Sequence, residues 1–170
     1  MRNVYLIGMM GSGKTTSGRE LARLLGISFV DLDDLIVDKA GRSINEIFKA
    51  HGEIFFRQME RQMLDETAAR PDQVVATGGG IVLEPANRNR MASTGMTVYL
   101  KTALPTLWER VKGKKDRPLL DTPDPEGALR SLFRLRGPLY EAVADKTFLT
   151  DRKSPEAVAL EIHEACFKGK

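Results

Sequence analysis

Residues Gly8 to Thr15 read Gly-Met-Met-Gly-Ser-Gly-Lys-Thr and match the pattern G-x-x-x-x-G-K-[ST] at every fixed position. They follow an apolar run, Val4-Tyr5-Leu6-Ile7, and open a helical pattern. That setting gives the pattern a mechanism. Glycines let the backbone curl until successive N–H groups converge on phosphate oxygens. The N-terminus of the next helix adds favourable partial charge. Lys14 is placed to reach the β- and γ-phosphates of a nucleotide, and the Thr15 hydroxyl to ligate Mg²⁺. A glycine-rich turn without a ligand has no use for a Lys-Thr pair at this offset.

A second cluster follows at Asp31-Leu32-Asp33-Asp34. One of these carboxylates is expected to cap the next helix. Asp31 and Asp33 lie two apart in what reads as an extended segment, so both are expected on one side of it. Near a nucleotide, one would hold Mg²⁺ through water and the other accept a hydrogen bond from an attacking hydroxyl. Gly78-Gly79-Gly80 costs ordering entropy, which points to close approach of a ligand to the backbone. Arg57 and Arg136 read equally well as surface ion pairs, and pattern alone does not single them out from the other arginines. Arg117 lies in a charged loop that reads either as a solvated connection or as a lid bringing a cation to the transferring phosphoryl group. His51 and His163 have no catalytic or metal-like spacing, and Trp108 and the methionines are expected to pack.

These residues have to be positioned by a scaffold, and the chain alternates strands with helices. Strands are expected at residues 4–7, 28–32, 73–76, 96–100 and 147–149. The helix after the phosphate loop stops at Gly26, a C′ glycine. A helical stretch reaches Ala40. Ser43-Ile44-Asn45-Glu46 has the capping-box form and starts a helix that runs to about Gly52, with another beyond it. Further helices are expected near 84–92, 104–111 and 125–143, and after Ser154-Pro155. Crossovers of this kind demand a parallel sheet covered on both faces, with ligands beyond the carboxyl ends of its strands. The loop, the Asp cluster and the glycine triplet all fall at those ends.

Composition sets the outer limits. A chain of 170 residues, 42% hydrophobic and 29% charged, suits one globular domain. A net charge of +3 suits anionic small molecules and is too small and scattered for nucleic acid. The single cysteine, Cys166, excludes an internal disulfide and is expected to be a buried or half-buried apolar residue. No apolar run approaches the roughly 20 residues of a membrane span. The N-terminus has no signal-peptide pattern, so no membrane association and a cytoplasmic location are expected.

Taken together, these motifs resemble the shikimate kinase family of P-loop, nucleoside-monophosphate-kinase-like enzymes over nearly the whole chain. The resemblance rests on the phosphate loop, Asp31-Leu-Asp33, Gly41-Arg-Ser-Ile-Asn-Glu-Ile-Phe48, and Gly52-Glu53 with Phe56-Arg57 and Glu60. Ala76-Thr-Gly-Gly-Gly80, Arg117-Pro-Leu-Leu120 and Arg136-Gly-Pro-Leu-Tyr140 complete it. It implies a single α/β domain over residues 1–170: a three-layer αβα P-loop NTPase fold with a five-stranded parallel sheet in order 2-3-1-4-5. Substrate-binding helices would span about 33–64 and a lid about 112–124. The implied reaction is transfer of the ATP γ-phosphoryl group to the 3-hydroxyl of shikimate, in aromatic-precursor biosynthesis, by a monomer with Mg²⁺. Carried over by position, Gly11, Ser12, Gly13, Lys14, Thr15 and Thr16 would hold the ATP phosphates. Thr15 and Asp31 would serve Mg²⁺, and Asp33, Arg57, Gly79 and Arg136 would hold shikimate. Lys14, Asp33 and Arg117 would be catalytic, with Arg117 the lid arginine. Lys153, in the adenine-proximal loop Asp151-Arg152-Lys153-Ser154-Pro155, stands where the family often carries another long polar side chain, and Arg152 is its alternative. A P-loop kinase for another hydroxylated acid, such as gluconate, would keep the nucleotide site without needing the acceptor set. A nucleotide-binding switch would leave that set unexplained.

Overall fold

The computed structural model describes residues 2–169. Five strands, β1 (Asn3–Ile7), β2 (Ser28–Asp31), β3 (Gln73–Ala76), β4 (Gly95–Lys101) and β5 (Lys146–Leu149), form one sheet in the order β2-β3-β1-β4-β5. Every pairing is parallel, with β1 at the centre between β3 and β4. The order expected from resemblance is therefore the order observed. Strand alternation divides the core in two. Val4, Leu6, Val74, Val98 and Leu100 face a layer made by α1 (Lys14–Leu25) and α7 (Pro155–Cys166). Tyr5, Ile7, Val75 and Tyr99 face the opposite layer. That layer contains α2 (Leu32–Ala40), α3 (Ile44–Ala68), α4 (Pro85–Thr94), α5 (Leu104–Val111) and α6 (Pro125–Val143). A central strand buried on both faces has no solvent side, which is why β1 reads as an unbroken apolar run.

Local signals account for most of the boundaries. Gly26 takes a left-handed conformation and caps α1. The Ser43–Glu46 capping box closes in both directions at the start of α3. Ser154 accepts from the Ala157 N–H ahead of Pro155, which starts α7. Gly52 (φ 80°, ψ 178°) breaks α3 into the two helices expected on either side of it. A side chain there would strain the kink. Two short 3-10 turns, Ile81–Leu83 and Pro118–Leu120, fall where only irregular chain was expected. Three-residue turns are too short to leave a hydrophobic period. Cys166 is half-buried beside the second core cluster, Trp108 packs on the first, and Met9, Met63 and Met91 are core residues.

One local expectation is corrected. Asp31 and Asp33 do not share one side of an extended segment. Strand β2 ends at Asp31, which is the N-cap of α2, and Leu32 is already helical. The Asp31 Oδ1 accepts from the Asp33 backbone N–H at 3.0 Å. Capping captured the chain one to two residues earlier than a period-2 reading allowed, because a carboxylate satisfying a free helix N–H competes with strand continuation.

Candidate active site

Beyond the carboxyl ends of the central strands lies a cavity of about 540 Å³. Its floor is Gly11 to Ser17, and Asp31, Asp33, Thr77, Gly78 and Gly79 form one wall. Arg110, Lys114, Arg117, Thr150, Lys153 and Pro155 form the others. Beside it is a smaller recess of about 90 Å³, lined by Asp33, Phe56, Arg57, Glu60, Gly79, Arg117 and Arg136 among others. Asp33, Gly78, Gly79 and Arg117 border both spaces. The geometry is therefore two chambers sharing one carboxylate, one arginine and a glycine turn.

The larger chamber is built from the loop outward. Lys14 is 9% exposed, and its Nζ donates to the Gly8 and Met9 carbonyls at 2.8 and 2.9 Å. Burial lowers its pKa from 10.5 to about 8, against the opposing pull of the Asp33 charge. The Thr15 hydroxyl donates to the Asp31 Oδ2 at 2.7 Å. With its proton committed to a carboxylate, the hydroxyl turns lone pairs outward. A hydroxyl and a carboxylate are hard oxygen donors of the kind Mg²⁺ takes alongside phosphates and water. Among the described residues no group of three or more His, Cys, Asp or Glu side chains is arranged to hold a metal by itself. Arg110 donates to the Gly11 carbonyl at 2.9 Å, tying α5 to the loop. Lys153 lines this chamber while its Nζ pairs with Glu161 at 2.8 Å; Arg152, its sequence neighbour, does not line it.

The smaller chamber places three helices around the glycine turn. The Arg57 guanidinium pairs with the fully buried Glu60 at 2.8 Å and with Glu53 at 3.2 Å. It is therefore part of a buried pair and not the surface ion pair that sequence left open. Arg136 is 2% exposed, and its Nε has no hydrogen-bond partner. A buried guanidinium with an orphaned donor is costly and marks a place where an acceptor is wanted. The Oδ1 of Asp33 and the Oε1 of Glu60 are likewise buried and unpartnered. Burial, then the Asp31 charge, raises the Asp33 carboxyl above the usual carboxylate range, while Lys14, Arg117 and Arg57 pull it down. Glu60 is raised too, by burial first, with Arg57 opposing.

The glycine triplet has a more specific cause than sequence supplied. A Cβ on Gly78 would collide with the Glu60 carboxylate, and one on Gly80 with the Arg57 guanidinium. On Gly79 it would lie 3.1 Å from an Arg136 terminal nitrogen. The glycines make room for protein side chains that surround the chamber, as well as leaving the backbone open to it. Tyr140, one turn along α6 from Arg136, donates its hydroxyl to the Gly79 carbonyl and stacks on Tyr99 at 5.1 Å.

Every sequence-predicted site residue thus borders one of the two chambers. Glu60, Arg110, Lys114 and Tyr140 also border or brace them and were not singled out for a role. Glu60 and Tyr140 belong to the motifs that carry the resemblance, near Arg57 and Arg136, while Arg110 and Lys114 left no such signal.

A family model described as shikimate kinase matches residues 10–167. The chain belongs to the shikimate kinase family. A shikimate kinase of Legionella pneumophila (strain Paris) is 46% identical over 159 residues, covering 94% of this chain and 91% of its own. One from Actinobacillus pleuropneumoniae serotype 5b is 44% identical over 163 residues, covering 96% and 94%. Among solved structures, the shikimate kinase from Acinetobacter baumannii in complex with shikimate superposes with a TM-score of 0.95 at 41% identity. That match covers 97% of this chain and 92% of that one. The shikimate kinase of Aquifex aeolicus follows with a TM-score of 0.83 at 38% identity, covering 94% and 93%. A sugar kinase from Janibacter, 16% identical with a TM-score of 0.59, shares the fold alone. No helix among the described residues is long and apolar enough to cross a membrane.

Proposed function

We propose that this member of the shikimate kinase family moves the γ-phosphoryl group of ATP to the 3-hydroxyl of shikimate, giving shikimate 3-phosphate and ADP. The observation that carries the reading is the small chamber, where half-buried Asp33 and Arg57 and buried Arg136 surround the glycine turn next to the phosphate loop. Shikimate is a small ring with one carboxylate and several hydroxyls. Arg57 and Arg136 grip the carboxylate, and each charge-assisted hydrogen bond contributes roughly 1.5–3 kcal/mol. Gly79 contributes backbone contact. The ring is then held with its 3-hydroxyl toward Asp33 and in line with the γ-phosphorus.

Gly11, Ser12, Gly13, Lys14, Thr15 and Thr16 cradle the ATP phosphates, with Lys153 on the adenine side. Thr15 and Asp31 would hold Mg²⁺, which when bound would supply positive charge to offset that of the nucleotide's phosphates. The 3-oxygen bonds to the γ-phosphorus as the bond to the β–γ bridging oxygen breaks, and the hydroxyl proton passes to Asp33. Arg117 stands over the equatorial oxygens. Positioning and charge stabilisation dominate such a transfer, so a carboxylate raised by burial suffices as proton acceptor. Residues 33–64 serve as the acceptor-binding segment and 112–124 as the lid of a single domain. The protein acts as a cytoplasmic monomer.

A coupled ADP-release assay tests the assignment. Release is expected with ATP and shikimate together, and neither with gluconate in place of shikimate nor with ATP alone. Equal release without shikimate would overturn it.

The depressed Lys14 pKa supplies a further expected result. Below about pH 8 the ammonium is charged and ready for phosphate; above it the free protein must recapture a proton before binding. Linkage then makes ATP affinity fall by up to about tenfold per pH unit above that point. Titrations of ATP binding at pH 7, 8 and 9 check this, and Lys14→Arg should flatten the profile because a guanidinium keeps its proton. A flat wild-type profile counts against Lys14 as the phosphate contact.

A further inference from the structure

Asn45, on the first turn of α3, reaches the lid. Its Nδ2 donates to the Lys115 main-chain carbonyl at 2.7 Å, between residues 70 apart in sequence. The opposite amide orientation would set two oxygens against each other at that distance, so the donor must face the lid. The other end of the amide, Oδ1, is buried without a partner, so the side chain is enclosed on that side. Both neighbours on the helix, Ile44 and Phe48, line the small chamber together with Asp116, Arg117, Pro118 and Leu119. The Lys114 N–H is tied to the Val111 carbonyl behind the contact. Ahead of it, the Leu120 N–H is tied to the Arg117 carbonyl and Leu120 is buried. Asn45 therefore holds the lid's main chain between these anchors, two residues before Arg117.

We propose that Asn45 is a positioning residue: by clasping the Lys115 carbonyl it registers the lid on the helix that also carries Arg57, and so sets Arg117 over both chambers. This rests on the reading of Arg117 as the lid arginine. Between the anchors at Lys114 and Leu120, this hydrogen bond favours the seated arrangement of the lid over looser ones. Losing it lowers the fraction of complexes with Arg117 seated, and touches neither the phosphate loop nor the acceptor's arginines. The cost falls on turnover.

The test uses Asn45→Ala and Asn45→Asp in the full chain. Aspartate keeps the shape, loses the donor, and at the start of a helix favours the helix dipole, so its melting temperature should not fall. Both variants are expected to lose about three- to tenfold in kcat, the range of one neutral hydrogen bond, with KM for ATP and shikimate within twofold of wild type. In an Arg117→Ala background, Asn45→Ala should cost nothing more, because the residue it positions is gone. Unchanged kcat in the Asn45 variants beside an impaired Arg117→Ala overturns this proposal alone. So does an equal loss in both backgrounds, or a loss confined to KM. An Arg117→Ala protein with wild-type turnover overturns the lid-arginine reading and this proposal with it.

Discussion

Asp33→Asn is expected to lower kcat by about 10²–10⁴-fold, the usual contribution of a positioned general base. Asp33 is the second residue of α2, and the strand end at Asp31 delivers it to the boundary of the two chambers. One of its oxygens is buried without a partner. Burial holds its carboxyl above the ordinary range, closer to the pH at which a base works well. Asparagine keeps the size and an acceptor oxygen while removing the proton-accepting charge. The fold should survive the change, since a partly buried carboxylate repelled by Asp31 is relieved by neutralisation. Steady-state kinetics with a thermal melt and an ATP titration separate the outcomes: ATP affinity and melting temperature near wild type, turnover almost lost. A kcat within threefold of wild type would leave Asp33 as a contact only.

Arg117→Ala is expected to reduce kcat by about 10³-fold, the lower end of what a cation supplied to a transferring phosphoryl group contributes. Arg117 caps the Pro118–Leu120 turn, and its Nε is buried without a partner. Its ion pair to Asp116 is long at 3.9 Å. The guanidinium is thus positioned by the chain more than by a strong partner, and remains available to an incoming anion. Because it borders both chambers, its charge is most useful where phosphoryl and hydroxyl meet. Shikimate affinity, measured by calorimetry, should change by less than about threefold, since Arg57 and Arg136 carry the carboxylate. Unchanged turnover would remove Arg117 from the mechanism. Arg117→Lys should recover only part of the rate, because an ammonium lacks the planar fork that spans two oxygens.

The sequence by itself determined the parts of the molecule that obey local rules. The central apolar strand, the glycine-bounded loop, the capping box at Ser43 and the Ser-Pro start at Ser154 each encode their own conformation within a few residues. Helices α5 and α6 begin and end where the period predicts. The Asp31–Asp33 geometry went astray because a side-chain cap and a strand continuation compete over the same two residues, and only the folded chain reveals which prevailed. The strand order came from resemblance, since alternation alone leaves several parallel arrangements open.

Tertiary structure alone decided what the arginines and glycines are for. Arg57 and Arg136 lie in helices far apart in the chain, with patterns no different from those of surface residues. Their burial around one turn follows from how α3 and α6 pack. The glycine triplet is bare because Glu60, Arg57 and Arg136 occupy the space a Cβ would need. The Asn45–Lys115 contact joins residues 70 apart, and no local pattern encodes such a pairing. Backbone conformation is written in neighbours along the chain. The chemistry of this site depends on which distant side chains share one small, poorly solvated volume.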